Sequence, residues 1–119
     1  MTTVPVTSEE LPVPHTDRRI YVAVWANLAN GDAGAAMEMP EGADRSVQFE
    51  GTFDGGTVEW EGSNDGTNFH TLTDPQGNTI SKTDSSISQV VEVARYMRPR
   101  VPSGGASTSI TATVLVCRR

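Results

Sequence analysis

The chain has 119 residues, 36% of them hydrophobic, with a single cysteine and a net charge of −6. That length argues for one domain with a self-sufficient core, in which neither a metal nor a disulfide is required, and Cys117 has no partner for an internal bridge. Overall acidity works against non-specific nucleic-acid binding, which needs cations against phosphates, and the longest apolar stretch, residues 20–28, is too short to span a bilayer as a helix. Neither nucleic acid nor membrane is therefore an expected partner.

Residues 1–19 read as an extended N-terminal arm, and residues 20–119 as the folded domain. Pro5, Pro12 and Pro14 each fix φ and push the preceding residue towards extended backbone, so no helix runs through this stretch. It lacks the basic start and continuous apolar run of a cleaved leader, so cytoplasmic synthesis without export is the expectation. Val4, Val6, Leu11 and Val13 are its apolar residues. They fit either a strand on the edge of the chain's own sheet or an arm lying across a neighbouring subunit, where they would make the partner contact.

From Ile20 the pattern becomes that of strands. Residues 20–28 are rich in β-branched and aromatic side chains and end in the turn Asn30-Gly31-Asp32. Residues 45–53 alternate, with Val47 and Phe49 on one face and Gln48 and Glu50 on the other. After Gly55-Gly56, residues 57–62 alternate again, with Val58 and Trp60 opposite Thr57, Glu59 and Glu61. This reads as a hairpin with one buried and one wet face. Ser63-Asn64-Asp65-Gly66 and Asp74-Pro75-Gln76-Gly77-Asn78 are turns, because Asn, Asp and Gly tolerate the required backbone. Residues 68–72, 88–96 and 109–117 supply further strands, the last two separated by Gly104-Gly105 as a hairpin connection. In the last strand both faces are fairly apolar, which places it centrally or against a partner.

No window carries helical periodicity with caps. The expected fold is all-β: a single β-sandwich or jelly-roll-like barrel of six to eight short antiparallel strands.

The residues that carry chemistry do not converge. His15 and His70 stand at no metal-ligand spacing from each other or from Cys117, and the Asp65, Asn64 and Asn68 oxygens lack the acidic pattern of a calcium loop. Glu59 and Glu61 share one strand face, where Arg98 and Arg100 can pair with them across the sheet, so they lack the split environments that glycoside hydrolysis needs. Residues 95–119 hold five arginines and no acid, which are expected to meet the acidic middle of the chain or a partner's acidic surface. No catalytic, cofactor-binding or metal residues are expected, and no cofactor. Trp60 is expected in the core, and Trp25, Phe49, Phe69 and Tyr96 are the remaining candidates for a sugar-binding platform.

The runs Asp44-Arg45-Ser46-Val47-Gln48-Phe49-Glu50-Gly51-Thr52-Phe53 and Thr57-Val58-Glu59-Trp60-Glu61-Gly62-Ser63-Asn64-Asp65-Gly66-Thr67-Asn68-Phe69 come together with Asp74-Pro75-Gln76-Gly77-Asn78 and Arg95-Tyr96-Met97-Arg98-Pro99. In this combination residues 20–118 resemble small virion structural proteins of tailed bacteriophages and prophages, of the head decoration or cement type. The resemblance implies a non-enzymatic component of the capsid surface. The compact β-domain, the lack of an active-site motif and an arm suited to lying across a neighbour add the expectation that it binds the major capsid protein, bridges neighbouring subunits and so stabilises the capsid, as a homotrimer. It brings no catalytic residues. The alternative is a carbohydrate- or host-surface-binding module on a phage head fibre or tail.

Overall fold

Alternating β-branched residues, broken every few positions by Gly, Asn, Asp or Pro, produce short strands and tight turns, and nothing in this pattern sustains a helix. A computed structural model describes residues 2–11, 20–40 and 44–117. Among these residues there are twelve strands and no helix: β1 (Thr3–Val4), β2 (Thr7–Leu11), β3 (Ile20–Leu28), β4 (Ala33–Gly34), β5 (Met37–Glu38), β6 (Asp44–Thr52), β7 (Thr57–Ser63), β8 (His70–Thr71), β9 (Ser81–Lys82), β10 (Ser86–Gln89), β11 (Tyr96–Ser103) and β12 (Ser109–Cys117). The first sheet runs β1-β4-β11-β7-β8, with β5 also on β11 and β9 also on β7; the second runs β10-β6-β12-β3-β2.

The all-β sandwich expected from the sequence is present, with more and shorter strands than six to eight, and with β1 parallel to β4. Val58, Trp60, Met97 and Val101 of the first sheet meet Trp25, Val47, Phe49, Ala112, Val114 and Val116 of the second, all fully buried. Trp25 and Trp60 touch edge to face across the two sheets, 5.4 Å between ring centroids and 74° between planes. β12 lies centrally between β6 and β3, with Ile110, Ala112, Val114 and Val116 buried in the core and Thr111, Thr113, Leu115 and Cys117 half-buried on the other face.

Three expectations are corrected. Residues 45–53 and 57–62 are not a hairpin: β6 pairs with β12 and β10, whereas β7 pairs with β11. The turn at Asp54-Gly55 carries the chain from one sheet to the other, and the connection from β11 to β12 crosses back beside it. The two arches bind each other, Ser107 N–H donating to Asp54 Oδ2 at 2.9 Å and Thr108 Oγ1 to the Phe53 carbonyl at 3.0 Å. Alternating strands flanking a two-glycine turn have the same pattern in an arch as in a hairpin, and here buried Phe53 closes the end of the sandwich between them.

Residues 88–96 are likewise not one strand. β10 stops at Gln89, and the chain then crosses between the sheets as an irregular strap before β11 begins at Tyr96. Finally, the domain does not begin at Ile20. Over residues 2–11 the expected arm lies on the chain's own sheets: β1 pairs with β4, and β2 pairs with β3 in the register Thr7↔Val24 to Leu11↔Ile20. Asp32, which is buried, ties it down by accepting from the N–H of Thr2. Val4 and Val6 pack half-buried against the core.

Candidate interaction surface

The chemically loaded residues of the middle segment are consumed by their own neighbours. Asp65 Oδ1 accepts from Ser63 Oγ and from the N–H groups of Thr67 and Asn68, each at 2.8 Å, while Oδ2 accepts from Asn68 Nδ2. The Asn68 N–H foremost, with Asn68 Nδ2, Thr67 and Ser63, holds this carboxyl far below its usual range. The loop is thus closed around its acid. Among the described residues no three metal-ligating side chains come together.

Glu61 departs from the wet face expected for it. Its register partner across the sheet is Arg98, whose Nε lies 3.0 Å from Glu61 Oε1, and Arg100 Nη1 lies 3.8 Å from Oε2. Arg98 in turn stacks on Phe69, 3.9 Å from the ring centroid. Together these bury the Glu61 side chain to 6% exposure. A carboxylate pinned by two guanidinium groups under an aromatic cap is a structural ion pair, and Glu59 is not part of it. Arg95 pairs with Glu38 at 3.0 Å and lies over Tyr96. The described arginines of the basic end therefore meet acids within the fold.

The aromatic platform does not form. Trp25, Trp60 and Phe49 are fully buried, and Phe69 and Tyr96 are each faced by an arginine. His70 is exposed on β8, and His15 lies outside the described residues.

What remains open is apolar. Ile87, Val91 and Val93 are 69%, 54% and 76% exposed, the large hydrophobic side chains left uncovered among the described residues. They lie along one side of the sandwich. β10, with Ile87, is the edge of the second sheet. The strap that follows is held by Val91 N–H donating to the Thr73 carbonyl, by Glu92 accepting from the N–H and Oγ1 of Thr73, and by Arg95 N–H donating to Asn64 Oδ1. Burial pushes the Glu92 carboxyl up, but the Thr73 hydrogen bonds outweigh it and hold the group below its ordinary value. With the strap held in this way, Val90 and Ala94 are buried while Val91 and Val93 face solvent. Beside Val93 a surface hollow of about 500 Å³ is lined by Asn64, Asn68, His70 and Glu92.

Of the four residues expected to make the partner contact, Val4 and Val6 do not join this surface. Val4 and Val6 belong to the chain's own core, Leu11 ends β2 at the opposite edge of the second sheet, and Val13 lies outside the described residues. The signal that would have found the strap is the run Val90-Val91-Glu92-Val93, in which apolar residues occupy both parities. A half-buried strand does not do that.

No family model matches the chain. No curated protein matches it in sequence. In structure it is similar to the SPBc2 prophage-derived protein YomS, with a TM-score of 0.65 and 11% identity over 89% of this chain and 99% of that one. The likeness covers most of this chain and shows a shared fold.

Proposed function

We propose that this chain is a non-enzymatic structural protein of a tailed-phage virion, which binds the outer surface of the capsid and bridges major capsid subunits. The observation that carries the reading is the uncovered strip of Ile87, Val91 and Val93 on a sandwich whose polar clusters are satisfied internally. Fully covering an exposed valine or isoleucine side chain is worth roughly 1.5–3 kcal/mol before the cost of association. One such patch makes a weak contact, and many copies on one shell make it collectively strong. The fold shared with a prophage-derived protein supports the same reading, as do the sequence runs that resemble head decoration proteins. The Val91–Val93 strap replaces the N-terminal arm as the proposed capsid contact, because residues 2–11 are occupied by the protein's own sheets.

The test is co-sedimentation with purified heads of the phage that encodes the protein. The wild type is expected to bind saturably, and Val91→Asp/Val93→Asp to lose at least about tenfold in affinity with an unchanged far-UV circular dichroism spectrum. Heads that bind no wild-type protein would sink the reading. Undiminished binding by the double variant would remove the strap from it.

A further inference from the structure

We infer that β10 is a self-pairing edge, through which two copies of this chain join their second sheets antiparallel about a two-fold axis. The argument starts from the ladder. Val90 N–H donates to the Arg45 carbonyl at 3.0 Å, and an antiparallel pair alternates hydrogen-bonded with non-hydrogen-bonded positions. Ser88↔Val47 and Ser86↔Phe49 are in phase with that bond, whereas Ile87↔Gln48 and Gln89↔Ser46 are out of phase. The main-chain N–H and C=O of Ile87 and Gln89 therefore point away from β6, towards the free edge. The next group in the series, the Val91 N–H, is taken by Thr73, so the open stretch is two donors and two acceptors long.

Those four groups are self-complementary. With the axis at Ser88, Ile87 of one copy lies opposite Gln89 of the other, and both pairs fall at hydrogen-bonded positions. All four outward donors and acceptors of each copy are then used, in four intermolecular bonds. An isologous contact needs this symmetry, in which each residue meets its counterpart's complement.

Charge points to the same edge. Natural edges are guarded by charged side chains, prolines, bulges or short length. Among the described residues, β2 at the far side of the sheet carries Glu9 and Glu10, and the outer strands of the first sheet are two residues long. β10 reads Ser-Ile-Ser-Gln, with no charge, proline or bulge. The acids flanking it turn to their own chain, Asp84 accepting from Ser85 N–H and Glu92 from Thr73. An antiparallel pairing closes as a dimer, which departs from the homotrimer expected from the sequence. It would present two Val91–Val93 straps on one particle, a bridging device in keeping with the proposed function and independent of it.

Sedimentation velocity over a concentration series tests this. The wild type is expected to shift reversibly from the 12.7 kDa chain to twice that mass. Gln89→Pro deletes one outward N–H per copy and leaves the β6 ladder intact, because proline is tolerated where the N–H faces away from the neighbouring strand. Losing two of the four bonds should raise the dimer dissociation constant about tenfold or more. Ile87→Lys, which touches no hydrogen bond, should also weaken it by placing a charge on each edge. A wild type that stays monomeric throughout, or self-association that both variants leave intact, overturns the inference. A monomer that still co-sediments with heads would sink the pairing alone. A dimer that does not bind heads would sink the capsid reading alone.

Discussion

Asn27 holds φ at 59°, and this one residue decides how β3 meets the core. The register of β3 on β12 slips between Leu28↔Ile110 and Trp25↔Ala112, three residues on one strand against two on the other. That bulge lets Trp25 and Leu28, an odd distance apart, both be fully buried while the two residues between them are exposed. Asparagine tolerates the left-handed region and a β-branched residue does not. Asn27→Val should therefore destabilise by about 1–2 kcal/mol in urea unfolding, and Asn27→Gly should not. Arg45 offers the opposite case. It sits on the inward face of β6 with Val47 and Phe49, 6% exposed, its Nε without a hydrogen-bond partner, and burial lowers its pKa. Arg45→Met should raise stability by about 1 kcal/mol, since an apolar residue of similar length avoids the desolvation. For Asp65 the sign follows from a depressed carboxyl. Its contribution is complete above the ordinary aspartate value near ~3.9 and is lost only as pH falls below it towards the lower folded value. The difference in stability between wild type and Asp65→Asn should thus be constant from neutrality to about pH 5 and shrink in stronger acid.

At the scale of elements, the strap between β10 and β11 depends on β7 for its seat. A side-chain carbon on Gly62 would lie 2.9 Å from both the Ala94 Cβ and Leu72 Cδ1. Glycine is therefore required where the strap and the segment after β8 close over the sheet. Gly62→Val should cost about 1–3 kcal/mol by overpacking, and should loosen the strap before the rest of the fold. Faster limited proteolysis within residues 90–95, against an unchanged rate elsewhere, would show it. The strap has the sequence pattern of a strand because Val90, Val91 and Val93 have strand composition. Its course is set by hydrogen bonds to Thr73 and Asn64, which lie 18 and 31 positions away along the chain.

At the scale of the whole molecule, the N-terminal segment is part of the domain. β1 and β2 extend different sheets, so residues 2–11 clasp the sandwich from one side and contribute Val4 and Val6 to its core. Removing them should expose that part of the core and bare the edge of β3, a loss of about 3 kcal/mol or more. In a thermal melt this corresponds to roughly 10 °C or more in Tm. A truncated chain that melts like the full one would show that the clasp is dispensable.

Local pattern alone settled that this chain is all-β, that Trp60 is core, and that Asp65 and Asp74 stand in turns. Those properties follow from alternation, turn chemistry and spacing, which act between near neighbours. Which strand pairs with which was decided only in three dimensions. The arches around Phe53 and Thr108, the burial of Glu61 by Arg98 and Phe69, and the return of residues 2–11 to their own sheets all join positions far apart in the chain. So does the apolar strip left bare among the described residues. A side chain is exposed or covered according to what the rest of the polypeptide places over it, and no local period carries that information.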